Sequence, residues 1–277
     1  MDSTELIRSS KEPGLFIVST PIGNLGDITY RAINTLKMAD LVLCEDTRET
    51  RKLLSHYNVS TKTDSYNDHN GGEKRPAIMR MLHDGAMVAL VSDAGTPLVS
   101  DPGYKLVADA LENGIRVYPV PGASSILAAL VMSGMPSDVF TFCGFADAKK
   151  FKNFADYNST LIFFESARRL VDCLGDMEKA FVGRTVAVCR EITKMYEENR
   201  FGSFANVREH FEAHPAKGEV VILLSPPLLK EKDVEDIREE LLQLLKTMKL
   251  KDASELLGEK YGMNKKKIYE LGLSFKN

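Results

Sequence analysis

The feature that most limits what this 277-residue chain can become is a series of short, unbroken apolar runs, each followed by a helical pattern. Leu15–Val18, Leu41–Cys44 and Met87–Val91 contain no polar residue at all. A strand with one wet face alternates apolar and polar residues, whereas a strand covered on both faces does not. The runs therefore predict parallel strands packed between helices, with helical patterns from about Ile28, from Thr47 to Tyr57 and from Tyr104 to Glu112. Ile115–Tyr118 reads as a fourth strand of the same layer. This is α/β architecture.

The pattern changes near Pro119–Gly122. After a small-residue helix (Ser124–Ser133) come runs rich in aromatic and β-branched residues: Phe140–Cys143, Thr160–Phe164, Thr185–Cys189 and Glu219–Leu224. They predict a second, mixed sheet, and Glu197–Phe204, with Gly202 near its middle, reads as a hairpin. Pro226-Pro227 then interrupts the chain. Beyond it Val234, Ile237, Leu241, Leu244 and Leu245 share one helical face. The expected organisation is an N-terminal α/β domain (13–121), a second α/β domain (122–227) and a helical C-terminal module (228–277).

Composition excludes several functions. The chain carries 36 Lys+Arg against 39 Asp+Glu, a net charge of −3, so it is no uniformly basic nucleic-acid binder. Its 44% hydrophobic content excludes wholesale disorder. No apolar stretch reaches the roughly 18 residues that a membrane span needs. Met1–Pro13 is polar and lacks the apolar core of a signal peptide. Cys44, Cys143, Cys173 and Cys189 lie far apart, so reduced thiols in a cytoplasmic protein are expected rather than disulfides or a zinc site. The five histidines have no ligand spacing, and no metal is expected.

Three loops carry the chemistry. Thr20–Asp27 follows the first strand, and its two glycines allow close backbone approach to a ligand; a tight strand-to-helix turn is the alternative. Its spacing is not the dinucleotide GxGxxG pattern. Val91–Gly103 is a 13-residue loop at the carboxyl end of a buried strand, where open parallel sheets place ligands. Pro119–Ser125 ends the fourth strand and opens a helix, with Ser124 either a cap or a ligand contact.

Together these segments closely resemble the tetrapyrrole-methylase superfamily. The resemblance rests on Pro21–Asp27, Glu45–Arg48, Ser92–Gly103 and Pro121–Ser125. It continues through Phe164–Ser166, Arg190–Lys194 and Lys217–Glu219. Within the superfamily it is strongest to the bacterial enzymes that methylate the 2′-hydroxyl of a cytidine in small-subunit (16S) rRNA. It implies two α/β domains with S-adenosylmethionine in the cleft between them, a homodimer, and rRNA or the small ribosomal subunit as partner. Carried over by motif, the expected cofactor contacts are Pro21, Gly23, Asp93, Thr96, Ser124, Ser125, Phe164, Glu165 and Glu219. Three departures stand out. Asn67–Gly71 replaces the family's His-Glu-His-Asn-Glu, Ala167 replaces a usual proline, and the basic loop after Phe145 is shortened.

Methyl transfer to a hydroxyl needs positioning and a proton acceptor. Asp46, Asp101 and Glu191 are the candidates for that base. Arg48 and Lys194 are the cations expected to shape the field and meet RNA, although Glu191 and Lys194 also have the spacing of a surface ion pair. From Lys246 to Asn277 there are 8 Lys against 4 Asp+Glu, on two helical patterns around Tyr261–Asn264 that resemble a helix-turn-helix. Lys265, Lys266 and Lys267 are the expected phosphate contacts, or else a solvated helix end. Two other readings stay open on sequence. One is a same-fold methyltransferase acting on a small tetrapyrrole or a protein residue; the other is a non-catalytic RNA-binding assembly factor.

Overall fold

A computed structural model describes residues 11–227, 231–261 and 263–276. Most of the polar start of the chain, residues 228–230, Gly262 and Asn277 lie outside the described residues, as does the side chain of Val234.

The first layer runs β1 (Gly14–Val18), α1 (Tyr30–Met38), β2 (Leu41–Cys44), α2 (Thr47–His56), β3 (Thr63–Ser65), α3 (Gly71–His83), β4 (Met87–Val91), α4 (Tyr104–Glu112) and β5 (Val117–Val120). Its five strands are all parallel, in the order β3-β2-β4-β1-β5. The unbroken apolar runs have the predicted cause. Phe16, Val18, Val42, Cys44, Met87, Ala89 and Val91 fill a core on one face. Leu15, Leu41, Leu43, Val88 and Leu90, the alternate residues, fill a core on the other. Two elements of this layer, β3 and α3, are additions to the sequence reading. Helix α3 tolerates Pro76 because only the exposed Gly72 carbonyl, four residues back, loses its donor. Strand β5 lies two residues later than expected and includes Pro119; as the edge strand it can leave a missing N–H facing outward.

The second layer runs α5 (Ser125–Ser133), β6 (Phe140–Phe145), β7 (Thr160–Ser166), α6 (Leu170–Ala180), β8 (Val186–Arg190), β9 (Glu198–Gly202), α7 (Phe204–Ala213) and β10 (Glu219–Leu224). The sheet order is β6-β7-β10-β8-β9, with β6 parallel to β7 and the other pairs antiparallel. One face packs on α6 and α7 through Phe163, Phe181, Val188, Phe211 and Ile222. The other packs on α5, where Ile126, Ala129 and Leu130 meet Ile162, Ala187, Val221 and Leu223. Ile22, from the loop after β1, belongs to that same cluster and joins the two layers. The expected hairpin at 197–204 is corrected: β9 is a single strand paired with β8, its turn is 191–197, and Gly202 ends it opposite Val186.

The chain closes with α8 (Glu231–Leu244), α9 (Leu250–Tyr261) and α10 (Lys265–Leu273), packed around Ile237, Leu241, Ala253, Leu257 and Ile268. All four cysteines are free thiols. Burial pushes Cys143 up to about 11 and Cys173 and Cys189 up to about 12, so these three stay protonated and unreactive near neutral pH. No described helix is long and apolar enough to cross a membrane.

One buried cation ties the second layer together. The guanidinium of Arg184 donates to the carbonyls of Ser159 (3.0 Å), Ser225 (2.7 Å), Ala155 (3.1 Å) and Tyr157. It thereby pins the β6–β7 connection to the end of β10. Replacement by an apolar side chain strands these acceptors. Arg184→Met should cost about 3 kcal/mol or more, read as a fall of several degrees in the thermal unfolding midpoint. An unchanged midpoint would show that the connection is held by other contacts.

Candidate active site

Three loops at the carboxyl ends of β1, β4 and β5 are knitted into one platform. Thr20 and Gly95 exchange backbone hydrogen bonds of 2.8 and 3.1 Å, an isolated antiparallel bridge between the first two loops. Gly95 has φ +80°, which a side chain rarely adopts, and a Cβ there would lie 3.3 Å from Ile22. The Thr96 hydroxyl donates to the Ala123 carbonyl of the third loop at 3.1 Å. Its single proton is thus used, so the Ser19 hydroxyl, 2.9 Å away, must be the donor to Thr96.

Opposite this platform stands the β8–β9 turn. Asn24 N–H donates to the Thr193 hydroxyl at 3.0 Å. Gly23 faces the same turn so closely that a Cβ would fall 2.5 Å from Lys194 Cγ and 2.9 Å from Thr193 Oγ1. Between platform and second sheet lies a cleft of about 280 Å³. Its apolar wall includes Ile22, Ile126, Phe145, Phe164, Ile192 and Val221, and its polar lining includes Asp93, Ser100, Asp101, Ser125 and Glu165.

Of the expected cofactor contacts, Asp93, Thr96, Ser124, Ser125, Phe164, Glu165 and Glu219 line this cleft. Pro21 and Gly23 stand behind it, Pro21 buried and Gly23 at the contact between layers. Ser124 occupies the N-cap position of α5 without making a side-chain cap bond. It lines the cleft together with Ser125 and Ile126 of the first turn of α5. Glu165 is buried and held by Arg169 at 2.6 Å and by the Ser166 N–H. Phe145 and Ile192 are further lining residues; Phe145 follows a predicted strand, and Ile192 sits inside a motif already noted for its neighbours.

The three candidate bases have different fates. Asp46 caps α2 and holds the exposed Arg48 through two oxygens, which brings its carboxyl down to about 2. Asp46–Glu49 has the capping-box spacing, a local signal for that structural role. Glu191 is partly desolvated, but Lys194 at 3.0 Å and the Glu219 N–H at 3.2 Å hold its carboxyl below the ordinary range. Asp101 alone of the three lines the cleft. Burial, reinforced by Glu45 and Asp93 and opposed by the Ser92 hydroxyl, raises it to about 6. Burial chiefly, with neighbouring acids, also raises Glu45 and Asp93. The platform side of the cleft is therefore acidic and suited to a cation. Among the described residues, no group of three His, Cys, Asp or Glu is placed to hold a metal ion.

The candidate RNA contacts are divided as well. Arg48, Lys194 and Lys265 are engaged by Asp46, by Glu191 and Glu219, and by Glu255 respectively. Lys266 and Lys267 stand exposed on α10.

The raised Asp101 has a consequence for stability. Its folded value lies above the roughly 3.9 of an unfolded aspartate, so ionising it costs stability. That cost is present above pH 6 and is relieved as pH falls toward 4. Asp101→Asn should therefore be more stable than wild type at about pH 8, with the gap closing between about pH 6 and 4. A gap that does not change with pH would mean that Asp101 titrates normally.

Comparisons with known proteins identify the family. The family model for tetrapyrrole (corrin/porphyrin) methylases matches residues 14–208. A protein of Mesorhizobium japonicum named ribosomal RNA small subunit methyltransferase I is 45% identical, over 99% of this chain and 96% of its own. Its namesake in Pasteurella multocida is 41% identical over 95% and 98%. Among solved structures, a diphthine synthase superposes with a TM-score of 0.61 at 14% identity, over 81% of this chain and 94% of that one. The uroporphyrin-III C-methyltransferase of Thermus thermophilus in complex with S-adenosylhomocysteine gives 0.54 at 20% identity, over 76% and 96%. By sequence match along most of its length, and by the fold these structures share, the chain belongs to the tetrapyrrole methylase family.

Proposed function

We propose that this protein transfers the methyl group of S-adenosylmethionine to the 2′-hydroxyl of a cytidine ribose in small-subunit (16S) rRNA. The observation that carries the reading is coverage. The family model ends at residue 208, and the solved diphthine and uroporphyrin enzymes leave roughly a fifth to a quarter of the chain unmatched. The two relatives named for ribosomal RNA described above match 95–99% of it, so those two share most of the three-helix segment at its end. Methylation of a tetrapyrrole gives that lysine-rich segment no task.

The cleft fits the cofactor. S-adenosylmethionine combines a cationic sulfonium and an ammonium group with a carboxylate and an aromatic base; when bound it supplies an electrophilic methyl group. Asp93 would face the positive charge, and the first turn of α5 with Ser124 and Ser125 would meet the carboxylate. Phe164, Ile126 and Val221 would enclose the apolar ring. Thr96, Pro21 and Gly23 would act by holding the loops in place, while Glu165 and Glu219 close the second-sheet side. Asp101 is the proposed base: a carboxylate near pKa 6 is mostly ionised at neutral pH and accepts the 2′-hydroxyl proton as the oxygen attacks. Asp46 and Glu191 would then orient their cations, Arg48 and Lys194, toward the substrate. Lys265–Lys267 add positive charge on the helical segment.

The decisive measurement is mass spectrometry of ribose methylation in 16S rRNA from cells with and without the gene. Loss of one 2′-O-methylcytidine is expected, and an unchanged pattern would remove the rRNA reading. In calorimetry the purified protein should bind S-adenosylmethionine. Gly23→Val should weaken binding about tenfold or more, because its side chain must displace Lys194 and Thr193. Asp101→Asn should lower kcat about a hundredfold or more, and wild-type activity should fall away below about pH 6.

A cytoplasmic homodimer is part of the same reading. The dimer is supported by the exposed apolar side chains Leu127 and Val131 on α5 beside Phe201 on β9, whose outer edge has no partner strand among the described residues. Light scattering should return about twice the 30.8 kDa chain mass, and Val131→Glu should return it to one chain. A wild-type value of one chain would refute the dimer.

A further inference from the structure

The basic side chains near the cleft fall into two groups. Arg48, Arg169 and Lys194 each end on a carboxylate. Lys149, Lys152, Arg168 and Lys217 are exposed, and among the described residues none of their side chains has an ion-pair partner, Arg168 not even with Asp172 one turn on.

These four share one end of one sheet. Strands β6 and β7 run parallel, so their carboxyl ends lie together, and the antiparallel β10 starts at that end. Phe145 pairs with Phe164, Ser166 pairs with Glu219, and Ala146 N–H donates to the Phe164 carbonyl at 2.9 Å. Phe145, Phe164, Glu165 and Glu219 all line the cleft. Lys149 and Lys152 follow β6, Arg168 follows β7 by two residues, and Lys217 precedes β10 by two. Arg168 and Lys217, each two residues from a strand end that borders the cleft, therefore leave the sheet at its rim, while Lys149 and Lys152 lie further along the β6–β7 connection.

Most of the carboxylates around this rim are already engaged, two of them by a single lysine. Asp147 faces Lys150 at 3.7 Å, Glu165 faces Arg169 at 2.6 Å, and Glu191 and Glu219 face Lys194 at 3.0 and 3.3 Å. Four cations are left over in a chain whose net charge is −3. Like charges gathered on one edge repel one another and contribute nothing to folding, whereas they attract a polyanion. Phe145, 60% exposed at the lip, adds an aromatic face of the kind on which unpaired bases stack.

We propose that this rim is the track that seats the RNA strand over the cleft, with Arg168 and Lys217 binding backbone phosphates; the inference rests on the rRNA reading above. Phosphate contacts fix register without reading sequence. The rim thus positions the ribose, and the acidic platform across the cleft stays with the cofactor.

The test measures binding to small ribosomal subunits from cells lacking the gene, over about 50 to 200 mM salt. The proteins are wild type, Arg168→Ala/Lys217→Ala, the charge-conserving Arg168→Lys/Lys217→Arg, and the control Lys37→Ala/Arg80→Ala. The control residues are also exposed and unpaired among the described residues, but lie on α1 and α3. The rim double variant should bind more weakly, with its log–log salt slope flatter by roughly 1.4 to 1.8, two contacts' worth. The charge-conserving and control pairs should keep the wild-type slope. In methyl transfer the KM for RNA should rise while kcat holds, with S-adenosylmethionine affinity and the unfolding midpoint unchanged. A wild-type slope in the rim variant, or an equal loss in the control, overturns the track and leaves the enzymatic reading standing. Wild type that binds no subunits at any salt overturns both.

Discussion

The site depends on one hydroxyl group. Thr96 gives its proton to Ala123 and accepts one from Ser19, so a single oxygen joins the loops after β1, β4 and β5. The Thr20–Gly95 bridge beside it closes the first two loops against each other. Neither contact is worth more than about 1 kcal/mol alone. Their effect is geometric: they fix the position of Ile22, and Ile22 is where the first layer enters the apolar cluster of the second. Ile22 also lines the cleft, so its placement shapes that wall. Sequence motifs at these positions thus matter less as donors to a ligand than as the frame that keeps three loops in register.

Among the described residues the charged groups lining the cleft are carboxylates, Asp93 and Asp101 from the platform and Glu165 and Glu219 from the second sheet, and the spare cations stand outside it at the second-sheet rim. The platform gathers Glu45, Asp93 and the half-buried Asp101, each made a weaker acid by desolvation and by its neighbours. On the second sheet Glu191 and Glu219 share one lysine, Glu165 has Arg169, and Arg168 and Lys217 stay without an ion-pair partner among the described residues. A cationic cofactor and an anionic strand need such a division, because each would be repelled by the other's wall.

What was legible in the sequence follows from where burial is complete. Strands β2 and β4 are wholly buried, so their apolar runs admit no other reading. Strand β3 is Thr-Asp-Ser at an edge, with no pattern to detect, and α3 begins with two glycines and contains a proline. Tertiary packing overrides local propensity there. In the site, the loops were readable because their length exceeds what a turn needs. The state of individual carboxylates was not. Asp46, Asp101 and Glu191 are each a single carboxylate in the sequence, and it is Arg48 beside the first, Lys194 beside the third, and burial near Glu45 and Asp93 for Asp101 that make one a strong acid, one an ion-pair member and one a weak acid in a cleft. The basic rim was hidden for a similar reason, since its four residues come from three separate connections that only the sheet register brings to one edge.

Backbone strain shows which segments the fold holds against their preference. Among the described residues, five non-glycine positions have φ in the left-handed region; Leu98, Ser100, Glu191 and Thr193 are four of them. Two lie in the β4–α4 loop and two in the β8–β9 turn, the segments that flank the cleft from either layer. Each such position costs on the order of 1 kcal/mol. Leu98 is an unsuitable residue for that conformation, yet there it packs into the core of the first layer, and burial of its side chain offsets the strain. Ser100 then turns the chain so that Asp101 lines the cleft. The carboxylate nearest pH 6 is thus presented by a loop that its own sequence would not fold alone, held by the packing of one leucine. Relaxing Leu98 to a residue that suits the turn but cannot fill that core would free the loop, return Asp101 to water and lower its pKa toward the ordinary aspartate value.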